Sequence, residues 1–319
     1  MRSTSPAKCR WYPFIDEPLI EGVKYAPQFS SPQVILPYES CDGKWHMFFH
    51  SWIGIHHFVS DSGIAWEPRR VVEFRGKYPS VLRDGESYYL VYEKHDHKRR
   101  TGDKNKSGST VEMKISTDLV TWSRPRVLLK GSDVGYASDY RSNSRLSNPQ
   151  LVKLDNSFRL YFGASSVKLP DSDYVSPRYF GYADSANLLG PYTVGKESLI
   201  IESEGDSEYS NMAAGSVKIV KVSDKFYAFQ CGVYWDNAKR KTRSAIRILE
   251  SDNGIDFSEC NAKPVLTTSD EGWTSSYIGT CDAHYKKDED CWYCYYSGRG
   301  GKSRKFEKES IGLMIGQPI

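Results

Sequence analysis

Short apolar and aromatic runs alternate with turn signals along the whole chain, and they recur in a fixed order. Each set starts with a Pro-polar-apolar-apolar step: Pro32-Gln33-Val34-Ile35, Pro79-Ser80-Val81-Leu82 and Pro149-Gln150-Leu151-Val152, with weaker copies at Gly215-Ser216-Val217 and Cys281-Asp282-Ala283. A polar turn follows, as in Asp42-Gly43, Asp84-Gly85 and Asp155-Asn156. Gly and Asn adopt positive φ at little cost, so these are hairpin signals. Next comes an aromatic run at 45–49, 88–92, 158–162, 226–229 and 292–296. Aromatic and β-branched residues bounded by turns predict strands. A third strand then ends in a Ser/Asp turn before an aromatic residue: Ser60-Asp61 before Trp66, Ser116-Thr117-Asp118 before Trp122, Asp184-Ser185 before Tyr192, and Ser251-Asp252 before Phe257. A fourth short strand, such as 69–74 or 126–129, closes the unit.

Each unit is thus four antiparallel strands in sequential order, with first strands starting near 32, 79, 149, 215 and 281. The expected fold is all-β, a five-bladed β-propeller in one domain over 1–319. The fifth unit lacks a fourth strand, because its third lies at 311–315 and the sequence stops at Ile319. Near the start, Trp11-Tyr12-Pro13 and Pro18-Leu19-Ile20 repeat the pattern of Trp66-Glu67-Pro68 and Val71-Val72. Residues 9–22 are therefore expected to complete blade five and seal the ring, which removes exposed edges.

Composition narrows the function classes. With 39% hydrophobic and 26% charged residues, the chain folds rather than staying disordered. Lys+Arg 43 against Asp+Glu 40 leaves +3, too little to imply a nucleic-acid partner. No apolar run approaches the roughly 20 residues that span a bilayer, and no membrane partner is expected. No apolar stretch follows Met1-Arg2 as a secretion signal requires, so the expected location is cytoplasmic. The seven cysteines are an odd count, and the Cys291-x-x-Cys294 pair lacks the second pair or the histidines of a zinc site. Reduced, mostly buried thiols are expected.

In a propeller the first strands line the central channel. The connections between second and third strands share one face with those entering the first strands. That face collects His50-Ser51-Trp52 with His56, Glu93-Lys94-His95-Asp96-His97, the stretch 165–178, Tyr234-Trp235-Asp236, and Arg299. Asp139, Arg141 and Arg145 enter blade three from the same side. Trp, His, Arg and carboxylates on loops of a rigid scaffold are the composition of a ligand site. Trp52, Tyr78 and Trp235 offer flat faces to sugar rings. Gln33, Ser80, Gln150, Ser216 and Asp282 are expected to ring the channel, with Asp282 its one acid. His95 and His97 share a strand face without a third ligand, so no metal is assigned, while His284 leaves a central Ca2+ open. The basic stretch 98–108 suits an anionic ligand such as a uronic acid or phosphate. No glycine-rich phosphate cradle precedes a helix, so no nucleotide cofactor is expected.

The run Ser147-Asn148-Pro149-Gln150-Leu151-Val152, then Leu160-Tyr161-Phe162, then Arg178-Tyr179-Phe180-Gly181-Tyr182-Ala183 and Gly190-Pro191-Tyr192 resembles blade three of five-bladed propeller glycoside hydrolases. That group includes the family-43 arabinanases and xylosidases and the family-32 fructosidases. The resemblance covers almost the whole chain through blade count, the prolines and the Ser/Asp–Trp turns. It implies a small oligosaccharide in the central pocket. Family-43 enzymes carry acids before the Pro of blade one, at the same place in blade two, and in blade three; this sequence has Ser31, Tyr78 and Asn148 there. None is a carboxylate, and the family's triad does not carry over.

Hydrolysis needs two carboxyl groups, about 5–5.5 Å apart for retention or about 6.5–9.5 Å for inversion. Glu93 and Asp282 are the expected acids, with Glu112 and Asp139 next. The structural alternatives are ion pairs of Glu93 with Arg145 or Lys94, and backbone bonds to Asp282. Substrate contacts are expected from Ser31, Gln33, Tyr78, Arg145, Asn148, Gln150 and His284 together with His50, Trp52, His95, Asp96, Trp235 and Arg299 of the loop face. Glycoside hydrolysis is the leading expectation. A sugar-binding propeller that has lost its acids and a protein-interaction scaffold are the alternatives.

Overall fold

In a computed structural model, which describes residues 4–23, 26, 28–95, 108–138, 144–171, 175–201, 208–301 and 307–319, the chain forms five antiparallel sheets arranged as a propeller. β1 (Cys9–Pro13) comes first. Blade one is β2 (Ser30–Ile35), β3 (Trp45–His50), β4 (Gly54–Ser60) and β5 (Glu67–Phe74). Blade two is β6 (Gly76–Asp84), β7 (Ser87–His95), β8 (Ser109–Ser116) and β9 (Arg126–Lys130). Blade three is β10 (Leu146–Lys153), β11 (Phe158–Lys168), β12 (Val175–Ser185) and β13 (Thr193–Ile201). Blade four is β14 (Ala213–Val222), β15 (Lys225–Asp236) and β16 (Lys241–Ser251). Its outer edge is broken into β17 (Ser258–Glu259) and β18 (Leu266–Thr267), both on β16. Blade five is β19 (Tyr277–Lys286), β20 (Cys291–Gly300) and β21 (Lys308–Pro318). β1 supplies its fourth strand, running antiparallel to β21 with Trp11 opposite Gly316.

Burial falls from the axis outward. β2 and β3 are buried throughout, because an inner strand has sheet neighbours and flanking blades on every side. The outer β5 is exposed or half-buried along its length. The Ser-containing turn before each outer strand is the same device four times. Ser60, Ser116, Ser185 and Ser251 each accept, through Oγ, the N–H of the residue two positions on. The side chain thus replaces a backbone partner and fixes the turn.

The turn delivers an aromatic residue against the preceding blade. Trp66 meets Tyr295 of blade five edge-on at 6.0 Å, and Trp122 meets Phe48 of blade one at 5.9 Å. Tyr192 enters the apolar layer holding Val91 and Met113 of blade two, and Phe257 that of Tyr161 and Phe180 of blade three. Trp11 does the same for blade five, edge-on to Phe229 of blade four at 5.6 Å.

Every first strand carries a register slip two residues wide, between Ser30 and Gln33, Lys77 and Ser80, Ser147 and Gln150, Ala213 and Ser216, and Ile278 and Cys281. The prolines Pro32, Pro79 and Pro149 lie inside these bulges, where a missing N–H costs no ladder bond. The strands therefore begin a few residues before the positions that the prolines mark in the sequence.

All seven cysteines are free thiols, five of them buried, with Cys41 exposed and Cys260 half-buried. Among the described residues no helix is long and apolar enough to cross a membrane.

Removing residues 1–22 strips β21 of its partner and should lower the midpoint of thermal unfolding. Trp11→Ala alone should cost about 2 kcal/mol in urea unfolding, somewhat below the loss for a fully buried aromatic. An unchanged midpoint for the truncated chain would make β1 a dispensable arm.

Candidate functional site

A cavity of ≈ 1080 Å³ opens at one mouth of the ring, with walls from all five blades. His50 and Trp52 come from blade one, Tyr78 from blade two, Asn148 from blade three, Ser216 from blade four and Tyr277 from blade five. The bulges explain why these positions point there. Ser31, Tyr78 and Asn148 sit at φ of 59°, 51° and 47°, a left-handed conformation that non-glycine residues seldom adopt. The kink turns the chain so that Tyr78 and Asn148 line the cavity, whereas Ser31 stays buried beside it. Trp52 stands at the rim, 63% exposed, as a ready stacking surface.

Tyr78 lies against His50, ring centres 4.6 Å apart, and its backbone N–H donates to His50 Nδ1 at 3.3 Å. Burial, helped by the charges of Lys77 and Arg145, pushes His50 down to about 3, so its imidazole is neutral at physiological pH. Below this pair lies Glu93, fully buried at the end of β7. Arg145 donates to it through Nε at 2.9 Å and Nη2 at 3.3 Å, and His95 Nε2 lies 2.9 Å from Oε1. Burial alone would raise the Glu93 pKa; Arg145 and His95 outweigh it and hold the carboxyl well below its usual range.

Asp282 is also fully buried, deeper along the axis. Its Oδ2 accepts from the Val34 N–H at 2.6 Å, Gln33 Nε2 at 3.1 Å and His284 Nε2 at 2.6 Å, while Lys218 Nζ lies 3.0 Å from Oδ1. Burial opposes ionisation, but His284 and Lys218 bring the pKa from 3.8 down to about 2. The same carboxylate raises His284 despite its burial. For the central Ca2+ left open at His284, this donor set does not fit. An ammonium and an imidazole already neutralise the one carboxylate, and Lys218 also donates to Gln33 Oε1. Among the described residues no three His, Cys, Asp or Glu side chains cluster closely enough to hold a metal.

The expected site residues thus divide. His50, Trp52, Tyr78, Arg145, Asn148 and Arg299 line the cavity. Gln33 and Gln150 instead tie blades together, Gln150 by exchanging 2.7 Å bonds with the backbone of Ile219. Glu93 and Asp282 are not among the lining residues of this cavity; each sits in a buried ion pair, Glu93 with Arg145 and Asp282 with Lys218. Glu112 accepts from Tyr92 Oη at 2.9 Å, away from the cavity lining. His95 and His284 serve the buried carboxylates, and the backbone N–H of the half-buried Trp235 donates to Asn211 Oδ1 at 2.9 Å. Asp96, Asp139 and 98–107 of the basic loop lie outside the described residues.

Sequence reasoning missed Lys77, Tyr277, Glu307 and Glu309, all on the cavity wall. A signal was present for the last two, carboxylates two apart where the chain enters a strand. The prolines point to first strands, whereas Glu309 opens the third strand β21 and Glu307 just precedes it.

Glu93→Gln leaves Arg145 buried without its counter-charge and should cost about 3 kcal/mol of stability, read in urea unfolding. Asp282, depressed in the fold, stabilises fully above pH ~4. That contribution, about 2 kcal/mol, is lost as pH falls from 4 to 2. Thermal midpoints across that window should fall, and less steeply in Asp282→Asn.

No protein-family model and no curated protein matches the sequence. Solved structures do match. A thermostable family-43 glycoside hydrolase aligns with a TM-score of 0.64 at 12% identity, covering 92% of this chain and 90% of that one. An N-acetylgalactosamine deacetylase from F. plautii, in complex with blood group B trisaccharide, aligns at 0.64 and 16% identity, covering 97% and 95%. A family-117 glycoside hydrolase of the marine bacterium Zobellia galactanivorans aligns at 0.61 and 12% identity, covering 98% and 92%. Blade count, strand order and these neighbours agree: this chain has the five-bladed propeller fold of the family-43-like glycoside hydrolases.

Proposed function

We propose that the ring-mouth cavity binds a small saccharide and that the chain is a carbohydrate-active protein that cleaves a glycosidic bond, with Glu309 as a reacting carboxylate. One observation carries this reading. Glu309, at the head of β21 and only 4% exposed, lines the cavity beside the first strand of blade five. Its Oε1 would lie 3.3 Å from a Cβ at Gly279, so a glycine there leaves it room. Burial pushes the Tyr78 and Tyr277 hydroxyls up, and the charge of Glu309 adds to both. Both phenols thus stay protonated donors for sugar oxygens, with Trp52 as a stacking face. Glu309 can take a proton from an attacking water or give one to the leaving oxygen. The complementary role falls to Asp171, which enters the same cavity from blade three and accepts the Thr242 N–H at 2.7 Å. Glu307 stands nearby, held by Arg299 Nε at 3.0 Å and Ser276 Oγ at 2.6 Å.

A second reading is saccharide binding without turnover. The absence of a carboxylate at Ser31, Tyr78 and Asn148 favours it. The fold does not fix the activity, since its neighbours include both a glycoside hydrolase and a deacetylase.

Incubation with a glycan library, with products read by mass spectrometry, tests the proposal. The native protein should release product. Glu309→Gln should lower the rate by at least about 100-fold, while saccharide affinity and thermal midpoint stay close to native. Sugar binding without product selects the second reading, and full activity in Glu309→Gln removes Glu309 from the chemistry.

A further inference from the structure

Lys77 stands next to Tyr78 in β6, and its side chain lines the cavity. Its partner directly across the sheet is Glu93, the expected counter-ion. That carboxylate is already taken by two nitrogens of Arg145 and by His95. Among the described residues the Lys77 ammonium makes no hydrogen bond and no salt bridge. Burial lowers its pKa from the ordinary lysine value, and the charges of Glu93 and Glu309, felt from beyond contact distance, do not restore it. Arg145 opposes it with like charge, and His50, held neutral, contributes none.

A half-buried cation without a bonded partner is costly, and a ligand anion offsets that cost. Arg145 lines the same part of the wall. After its two bonds to Glu93 and one to the Tyr78 hydroxyl, its guanidinium still keeps N–H groups for a further acceptor. The ammonium of Lys241, on the blade-four wall, likewise makes no ion pair or hydrogen bond among the described residues. The lining acids differ in this respect. Glu307 is bound by Arg299, Asp270 by Lys239 and Arg243, and Asp171 by the Thr242 N–H.

We propose that the cavity takes an acidic saccharide, one bearing a carboxylate or a sulfate ester, whose anionic group docks on Lys77 beside Arg145 and Tyr78. This rests on the reading of the cavity as a saccharide site and names its substrate class. The docked anion forms charge-assisted hydrogen bonds to Lys77 and Arg145. The sugar ring then lies between the Tyr78 side and the Trp52 rim, within reach of Glu309.

Titration calorimetry with three probes tests this: an oligogalacturonate, a sulfated galactan oligosaccharide, and a neutral galactan oligosaccharide of equal length. One acidic probe should bind at least tenfold more tightly than the neutral one, with a gap that narrows as salt is raised. Whichever acidic probe leads identifies the anionic group as carboxylate or sulfate. Lys77→Met should weaken that probe by about tenfold to a hundredfold and leave the neutral one unchanged, with the thermal midpoint equal or higher. Lys77→Arg should keep the preference. Equal affinity for acidic and neutral probes, or a preference that survives in Lys77→Met, overturns the acidic assignment while the saccharide reading stands. No binding of any of the three overturns both.

Discussion

One aromatic side chain wedged between each pair of neighbouring blades is the contact on which the ring depends. Strand ladders hold a blade together but offer nothing to the next blade, since blades pack face to face. The wedge supplies that attachment through Trp66, Trp122, Tyr192, Phe257 and Trp11. Four of these residues follow a Ser-bonded turn that fixes their direction. The fifth belongs to β1, which precedes blade one in the chain and completes the circle. Closed this way, blade five has its outer strand, and cohesion between blades four and five uses the same device as between the other neighbours.

Closure also sets the character of the site. Five first strands converge on the axis, and each bulges at the same level. Ser31, Tyr78 and Asn148 keep a positive φ without the carboxylates found at those places in family-43 enzymes. Strain of this kind survives only where the surroundings over-determine it. Here they do so through ties between blades: Gln150 to Ile219, Ser216 Oγ to the Gly279 carbonyl at 2.8 Å, and Gln33 to Asp282. These ties hold the backbone geometry of the mouth.

Charge is arranged in two layers. The buried layer, Glu93 with Arg145 and His95, and Asp282 with His284 and Lys218, is internally matched and holds its carboxylates ionised. The layer above it, on the cavity wall, contains Lys77 without a bonded partner among the described residues, and Glu309 close to two phenols. Matched charges below give rigidity, and the cation above is available to a ligand. The proposed chemistry draws on the upper layer, and Arg145 joins the two by bonding Glu93 below while lining the cavity above.

Local spacing was enough to give the blade count, the hairpins, the Ser turns and the closing strand. Period-two alternation, Gly/Asn turns and an aromatic after each turn act over a few residues, so they are legible in a linear string. Blade four's broken outer edge was not, because its short strands carry no alternation to detect. The site was legible only as a set of loops. His50, Trp52, Tyr78, Arg145, Asn148 and Arg299 do reach the cavity. The fates of Glu93, Asp282, Gln33 and Gln150 were decided by contacts between distant segments. Gln33 bonds Asp282 almost a whole chain away, and Arg145 reaches back from blade three to the end of β7. Whether a carboxylate is a reagent or half of an ion pair depends on burial and on which cation the ring brings beside it. Ring closure alone fixes both.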